Sequence, residues 1–196
     1  MARIIAIENV TLDGVMQAPA APDEDTRGGF AYGGWGQPYG DEISMQKARE
    51  GMASEGAMLF GRVTYERFLK VWAGREDNPF SPVLDARHKY VVSTTLTEPL
   101  AWQNSTLVGG DVIAAVRELK EHAPEENLDL LGSGVLLRSL LAADLVDELQ
   151  LSIAPLVLGT GTRLFAEDGP HLRLRLTESV TTTTGVVLAT YRRREA

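Results

Sequence analysis

An α/β protein, with a mainly parallel central sheet flanked by helices and closed by a C-terminal antiparallel hairpin, is the fold class this sequence predicts. Three observations predict it. Short β-branched runs punctuated by glycine alternate with longer segments of helical period, as in chains whose parallel strands are joined by helices. Two of those runs pass through a glycine straight into a helix start, at Gly61 and at Gly132-Ser133-Gly134. The last two runs, 172–180 and 186–192, are joined around Gly185, which reads as an antiparallel hairpin.

The elements follow in order. Residues 3–8 make the first strand, an apolar run ending at Glu8. Residues 17–40 form a long irregular stretch with Pro19, Pro22 and Pro38, several glycines, Trp35 and Tyr39. A loop this long inside a compact domain is usually functional or disordered, and its aromatics favour function. Residues 41–54 have the period of an amphipathic helix with Ile43, Ala48 and Met52 on one face and an acidic start at Asp41 and Glu42. Residues 57–60 are a buried strand that leads into a helix ending near Ala73-Gly74. Strands follow at 89–93 and 106–108, then a helix over 111–122 that Asp111 can cap. Residues 128–131 are a fifth strand, ahead of a helix reaching about Ala143. The remainder is mostly β, with a strand at 148–154, a glycine turn at 159–161 and the final hairpin. No repeat or linker interrupts residues 1–196, which read as one domain.

Composition narrows the function. The 196 residues are 44% hydrophobic and 23% charged, ordinary for a globular protein able to bury a full core. With no cysteine, a disulfide scaffold, a thiolate zinc site, an iron–sulfur cluster and a cysteine nucleophile are excluded. The net charge of −8 disfavours nucleic acid, which needs a basic face. The opening residues stop being apolar too soon for a signal peptide, and no stretch approaches the roughly 20 apolar residues of a membrane helix, so the cytoplasm is the expected setting.

Both strand-to-helix junctions leave free backbone N–H groups and a positive dipole end, which suit a phosphate. At the first, Arg62 supplies a cation able to bind phosphate bidentately and Thr64 a hydroxyl. At the second, the glycines allow close backbone approach and Ser133 adds a donor. Either alone could be a tight turn with a surface ion pair; two in one sheet point to a dinucleotide. Ser93-Thr94-Thr95 ends a third strand, where hydroxyls could hold a further phosphate or merely cap the strand. His88, His122 and His171 have no partner at helical spacing, so no metal site is expected. Asp41 and Glu42 could cap a helix or deliver a proton, and Asp13 could serve a turn. The apolar run 149–158 would be an exposed edge unless symmetric pairing covered it, so a homodimer is expected.

Taken in order, the stretches Val10-Thr11-Leu12-Asp13-Gly14-Val15-Met16, Leu59-Phe60-Gly61-Arg62-Val63-Thr64-Tyr65-Glu66, Val91-Val92-Ser93-Thr94-Thr95-Leu96, Leu131-Gly132-Ser133-Gly134, and Val146-Asp147-Glu148-Leu149 running to Gly159-Thr160-Gly161 carry a resemblance. They resemble the dihydrofolate reductase-like superfamily, most closely stand-alone relatives of the reductase domain of the riboflavin-biosynthesis deaminase-reductase. The resemblance implies NADPH as cofactor. Gly61, Arg62, Val63 and Thr64 would hold its phosphates, Ser93 and Thr94 its adenosine end, and Gly132, Ser133 and Gly134 its pyrophosphate; Gly14 would lie near the nicotinamide. The deaminase half, with its zinc signature, is absent. A carboxylate on the helix before the Gly-Arg junction is expected of dihydrofolate reductases, and Asp41 is the nearest candidate, about four residues further from Gly61 than the usual spacing. The expected activity is hydride transfer to a small heteroaromatic substrate, a pteridine or a ribosylated pyrimidine, with Trp35 and Tyr39 against the ring and Asp41 as proton donor. The alternative is a nucleotide- or ligand-binding protein that keeps the fold without turnover.

Overall fold

A computed structural model describes residues 1–52, 56–78 and 80–194. The chain divides into two compact units, residues 1–6 with 49–147 and residues 7–48 with 148–196. Strand β1, Arg3–Thr11, is shared by both.

The first unit is the parallel, helix-flanked part. Its strands β2 (Ala57–Gly61), β3 (Lys89–Val92), β4 (Ser105–Val108) and β5 (Asn127–Leu131) lie in the order β4-β3-β2-β5, every pairing parallel. Helices α2 (Arg62–Trp72), α3 (Ser81–Ala86), α4 (Val112–His122) and α5 (Gly134–Ala142) connect and cover them. A strand buried on both faces reads as a continuous apolar run, and Ala57, Met58, Leu59 and Phe60 are each at most 1% exposed. Met58, Phe60, Tyr65, Leu84, Val91 and Trp102 form one core cluster, with Phe68, Leu69 and Trp72 packed against it. Within it lies Lys89, whose Nζ donates to the carbonyls of Leu84 (2.7 Å), Asp85 (3.3 Å) and Arg87 (2.5 Å) and sits 4.6 Å from the Trp102 ring centre. A lysine at 0% exposure thus satisfies the last carbonyls of α3, and burial lowers its pKa to about 8.

Asp111 caps α4 as its sequence predicts, accepting from Ala114 N at 2.8 Å. Helix α3 is unpredicted, since it is a short element with Pro82 in its first turn.

In the second unit the strands after β1 pair antiparallel. Beside β1 lie β6 (Glu148–Ala154), β8 (Val187–Arg193) and β7 (Leu174–Thr181), in the order β6-β8-β7. The predicted hairpin is present, with a bulge between Leu176 and Glu178. Strand β6 pairs with β8 from Glu148 to Ile153, so that part of the apolar run 149–158 is no free edge and the ground for a homodimer is corrected there, while Val157, beyond the strand, is 65% exposed. Leu149, Leu151 and Ala154 are buried.

Helix α1, Glu42–Met52, starts one residue after the predicted position; predicted residues 53 and 54 lie outside the described ones. Its expected apolar face is not covered: Ile43 and Met52 are half-buried and Ala48 is exposed. The long stretch before it is ordered by packing and hydrogen bonds rather than by regular structure. It holds two single helical turns, Arg27–Gly29 and Gln37–Tyr39, and Phe30 and Trp35 pack with Val15, Ala18 and Ala154.

Candidate functional site

In the first unit, the two glycine junctions interlock. Gly61 precedes the first turn of α2, in which Arg62, Val63 and Thr64 stand, and Gly132-Ser133 precedes α5, whose first residue is Gly134. The Ser133 hydroxyl accepts from Gly61 N at 3.0 Å and donates to Leu131 O at 3.1 Å; the Thr64 hydroxyl accepts from Ser133 N at 3.0 Å. Each junction therefore holds the other in place. Gly132 (φ +55°) and Ser133 (φ +58°) are both left-handed, which turns the backbone sharply at the mouth of α5. A Cβ on Gly132 would meet Thr64 Cγ2 at 3.4 Å, an ordinary contact, so it is the left-handed turn that favours glycine there.

Neither helix has a side-chain cap, so the first-turn N–H groups of α2 and α5 are left to solvent or to an anion. Arg62 is the adjacent cation, and its partner is Glu66 at 3.0 Å. That pair is exposed on both sides, 44% and 46%, and an exposed pair one turn apart contributes only about 0.3–0.5 kcal/mol, so a phosphate could displace it. These donors, glycines and cation fit the phosphates of a dinucleotide. Ser93 uses its hydroxyl locally, accepting from Thr95 N (3.1 Å) and Leu96 N (3.0 Å), while Thr94 is exposed.

In the second unit, Asp41 stands before α1 as its cap. Its Oδ1 accepts from Ser44 N at 2.9 Å, and its Oδ2 from Thr183 N and Thr183 Oγ1, both at 2.7 Å. Ser44 N–H first, then the Thr183 hydroxyl, hold the carboxyl down at about 2. A carboxylate held this low carries no proton at neutral pH, so the geometry assigns Asp41 to joining α1 to the β7–β8 turn. The Tyr39 carbonyl accepts from Thr184 Oγ1 at 2.6 Å on the same turn, and the Tyr39 ring is half-buried. Trp35 is 8% exposed, and its indole N–H donates to Gln17 O at 2.7 Å, which makes it part of the core rather than a cover.

Asp13 sits in a turn, as read from sequence, and also ties that turn down. It accepts from Thr11 Oγ1 (2.5 Å), Leu158 N (3.2 Å) and Gly159 N (2.8 Å), which hold its pKa at about 2, the Thr11 hydroxyl contributing most. Gly14 follows at φ +78° with open space where a Cβ would lie, so backbone conformation alone selects glycine.

Two residues escaped the sequence reading. Gln17, 6% exposed, donates to Asp25 O (3.1 Å) and Arg27 O (2.9 Å) and accepts from Thr162 N (2.9 Å) and Thr162 Oγ1 (3.0 Å). Glu8 is 3% exposed, its Oε1 has no hydrogen-bond partner, and burial pushes its pKa well above the usual value. Alternation along β1, which aligns Glu8 with Ile4, Ala6 and Val10, was the signal that could have found it.

Comparison with known proteins shows the family and the fold. The family model described as the RibD C-terminal domain matches residues 2–188. The uncharacterized protein YyaP of Bacillus subtilis is 28% identical over 138 residues, covering 68% of this chain and 72% of its own. A putative riboflavin biosynthesis protein from Shewanella shares the fold with a TM-score of 0.73 at 24% identity, over 100% of both chains. A pyrimidine reductase-like protein from Corynebacterium diphtheriae superposes with a TM-score of 0.67 at 15% identity, over 100% of this chain and 93% of its own.

Proposed function

We propose, from the premise that this chain belongs to the RibD C-terminal domain family, that it is an NADPH-dependent reductase of a small heteroaromatic substrate, a pteridine or a ribosylated pyrimidine. The observation that carries the reading is the pair of uncapped helix starts held together by Ser133 and Thr64, beside the exposed Arg62. In this reading Gly61, Arg62, Val63 and Thr64 bind phosphate, Gly132, Ser133 and Gly134 admit the pyrophosphate, and Ser93 and Thr94 serve the adenosine end through backbone and the free Thr94 hydroxyl. Gly14 lies by the nicotinamide and Tyr39 against the substrate ring, with Trp35 supporting from the core.

When bound, the reduced nicotinamide supplies the hydride. The protein orients the ring and excludes competing reactions. Since Asp41 is held as an anion, the proton for the reduced nitrogen comes from solvent. Residues 1–196 act as one reductase domain in the cytoplasm, where a homodimer is our expectation from the resemblance to riboflavin-type reductases. Among the described residues no helix is long and apolar enough to cross a membrane.

An NADPH-oxidation screen with pterins and flavin precursors, run with and without air, tests the activity. Substrate-dependent oxidation supports a reductase; tight NADPH binding with no consumption by any addition supports a binding protein instead.

A further inference from the structure

Two aspartates in this sequence precede a glycine, at Asp13-Gly14 and Asp168-Gly169, and both pairs lie in the second unit. Such a pair is open to ring closure, because glycine has no side chain to shield its amide nitrogen from the neighbouring carboxyl carbon. The fold treats the two pairs differently.

Asp13 is fixed at both oxygens. Its Oδ1 accepts from Thr11 Oγ1 (2.5 Å) and Leu158 N (3.2 Å), its Oδ2 accepts from Gly159 N (2.8 Å), and Arg163 Nη2 stands 3.6 Å from Oδ2. The Gly14 amide donates to Thr11 O at 2.9 Å. Swinging the carboxyl carbon onto the Gly14 nitrogen would break the carboxylate's bonds and the turn together. Ring closure also expels the hydroxyl of a neutral carboxyl. The Thr11 hydroxyl first, then the backbone donors, hold the Asp13 pKa at about 2, which makes the neutral form scarcer at neutral pH by more than about tenfold than in an ordinary aspartate.

Asp168 has none of these ties. It lies between Leu164, 1% exposed and anchored by its N–H on Gly14 O (2.8 Å), and β7, which begins at Leu174. Residues 167–170 are all exposed, and the Asp168 carboxylate has no partner among the described residues. The Gly169 amide is held by the turn alone, through Ala166 O at 3.2 Å, and an exposed turn bond opens at little cost.

We infer that Asp168-Gly169 is a site of spontaneous isoaspartate formation, and that the fold protects Asp13-Gly14 from the same reaction. The Gly169 nitrogen attacks the side-chain carboxyl carbon of Asp168. A C–N bond forms as the C–OH bond breaks, the amide proton and the hydroxyl leave as water, and a succinimide ring results. Water then adds to one of the two ring carbonyls and its C–N bond breaks. Breakage at the former side-chain carbonyl restores aspartate; breakage at the main-chain carbonyl leaves isoaspartate, with the chain running through the side chain. One water leaves and one returns, and nothing is oxidised or reduced. The product carries an extra CH2 in the backbone of an exposed turn, between the Leu164 anchor and β7. This inference stands independently of the reductase reading.

The test is incubation of the folded full chain in warm neutral buffer made with heavy-oxygen water, followed by tryptic digestion in ordinary water and mass spectrometry. Each ring opening places one heavy oxygen in the residue, and electron-transfer fragmentation tells isoaspartate from aspartate. Peptide 164–173, in which Asp168 is the sole aspartate, should gain label and isoaspartate, while Asp13 in peptide 4–27 labels at least about tenfold more slowly. In guanidinium chloride, where the ties of Asp13 are gone, the two should label at similar rates. Asp168→Glu, whose longer side chain closes a larger ring more slowly, should leave peptide 164–173 unlabelled. Equal labelling of Asp13 and Asp168 in the folded chain, or label that survives Asp168→Glu, would overturn the assignment. So would a folded chain unlabelled at Asp168 under conditions that label it when unfolded. An Asp13 that stays slow in guanidinium chloride would overturn the fold as the source of its protection.

Discussion

At the scale of single residues, the two carboxylates Asp41 and Glu8 have opposite fates. Asp41 is an anion fixed by Ser44 and Thr183, and its folded pKa of about 2 lies below the usual 3.8. A depressed carboxylate stabilises the fold above its unfolded pKa and loses that contribution as pH falls through the folded one. Asp41→Asn should therefore lower the urea midpoint at neutral pH and converge with the parent in acid, while substrate-dependent NADPH oxidation stays within about twofold. A loss of turnover of tenfold or more would restore Asp41 as the proton donor. Glu8 reverses the sign. Its folded pKa is raised above the usual 4.5, so its contribution is full below that value and is lost as pH rises towards the folded one. Glu8→Gln should gain on the parent in thermal midpoint between about pH 5 and about pH 8. A difference that does not change across that range would mean that Glu8 is ionised or paired.

At the scale of elements, the long stretch between β1 and α1 is held by a few polar side chains. Gln17 alone uses both ends of its amide, towards Asp25 and Arg27 and towards Thr162. Gln17→Leu should cost about 1–3 kcal/mol, the penalty for leaving buried polar groups without partners, and should speed amide exchange at Thr162. An unchanged urea midpoint with unchanged exchange would show that water replaces it freely. This part of the structure was hardly legible in the sequence, because its order comes from contacts between residues far apart in the chain. Trp35 looked like a cover for a ligand for the same reason: an aromatic among glycines reads as exposed until Gln17 O is seen to accept its N–H. By contrast, periodicity gave β6 to the residue and Asp111 announced α4. That Gly61, Thr64 and Ser133 stand at strand-to-helix junctions was legible, because a glycine after a short apolar run marks a strand end. That their side chains lock the two junctions together was not. For α1 the helical period was legible and the degree of burial was not, since an amphipathic pattern says which face is apolar and not whether anything covers it.

At the scale of the whole molecule, the RibD C-terminal domain match over residues 2–188 and the parallel strands of the first unit carry the functional reading, and both meet at the paired starts of α2 and α5. Arg62 is the cation there, and cofactor choice should depend on it. The direct measurement is calorimetric titration of NADPH and NADH into the parent chain and into Arg62→Ala. The account predicts that NADPH binds at least about tenfold more tightly than NADH, and that Arg62→Ala costs about 1.5–3 kcal/mol of NADPH affinity, the range for a charged hydrogen bond. Equal affinities for the two cofactors, or an Arg62→Ala chain that binds NADPH as the parent does, would contradict it.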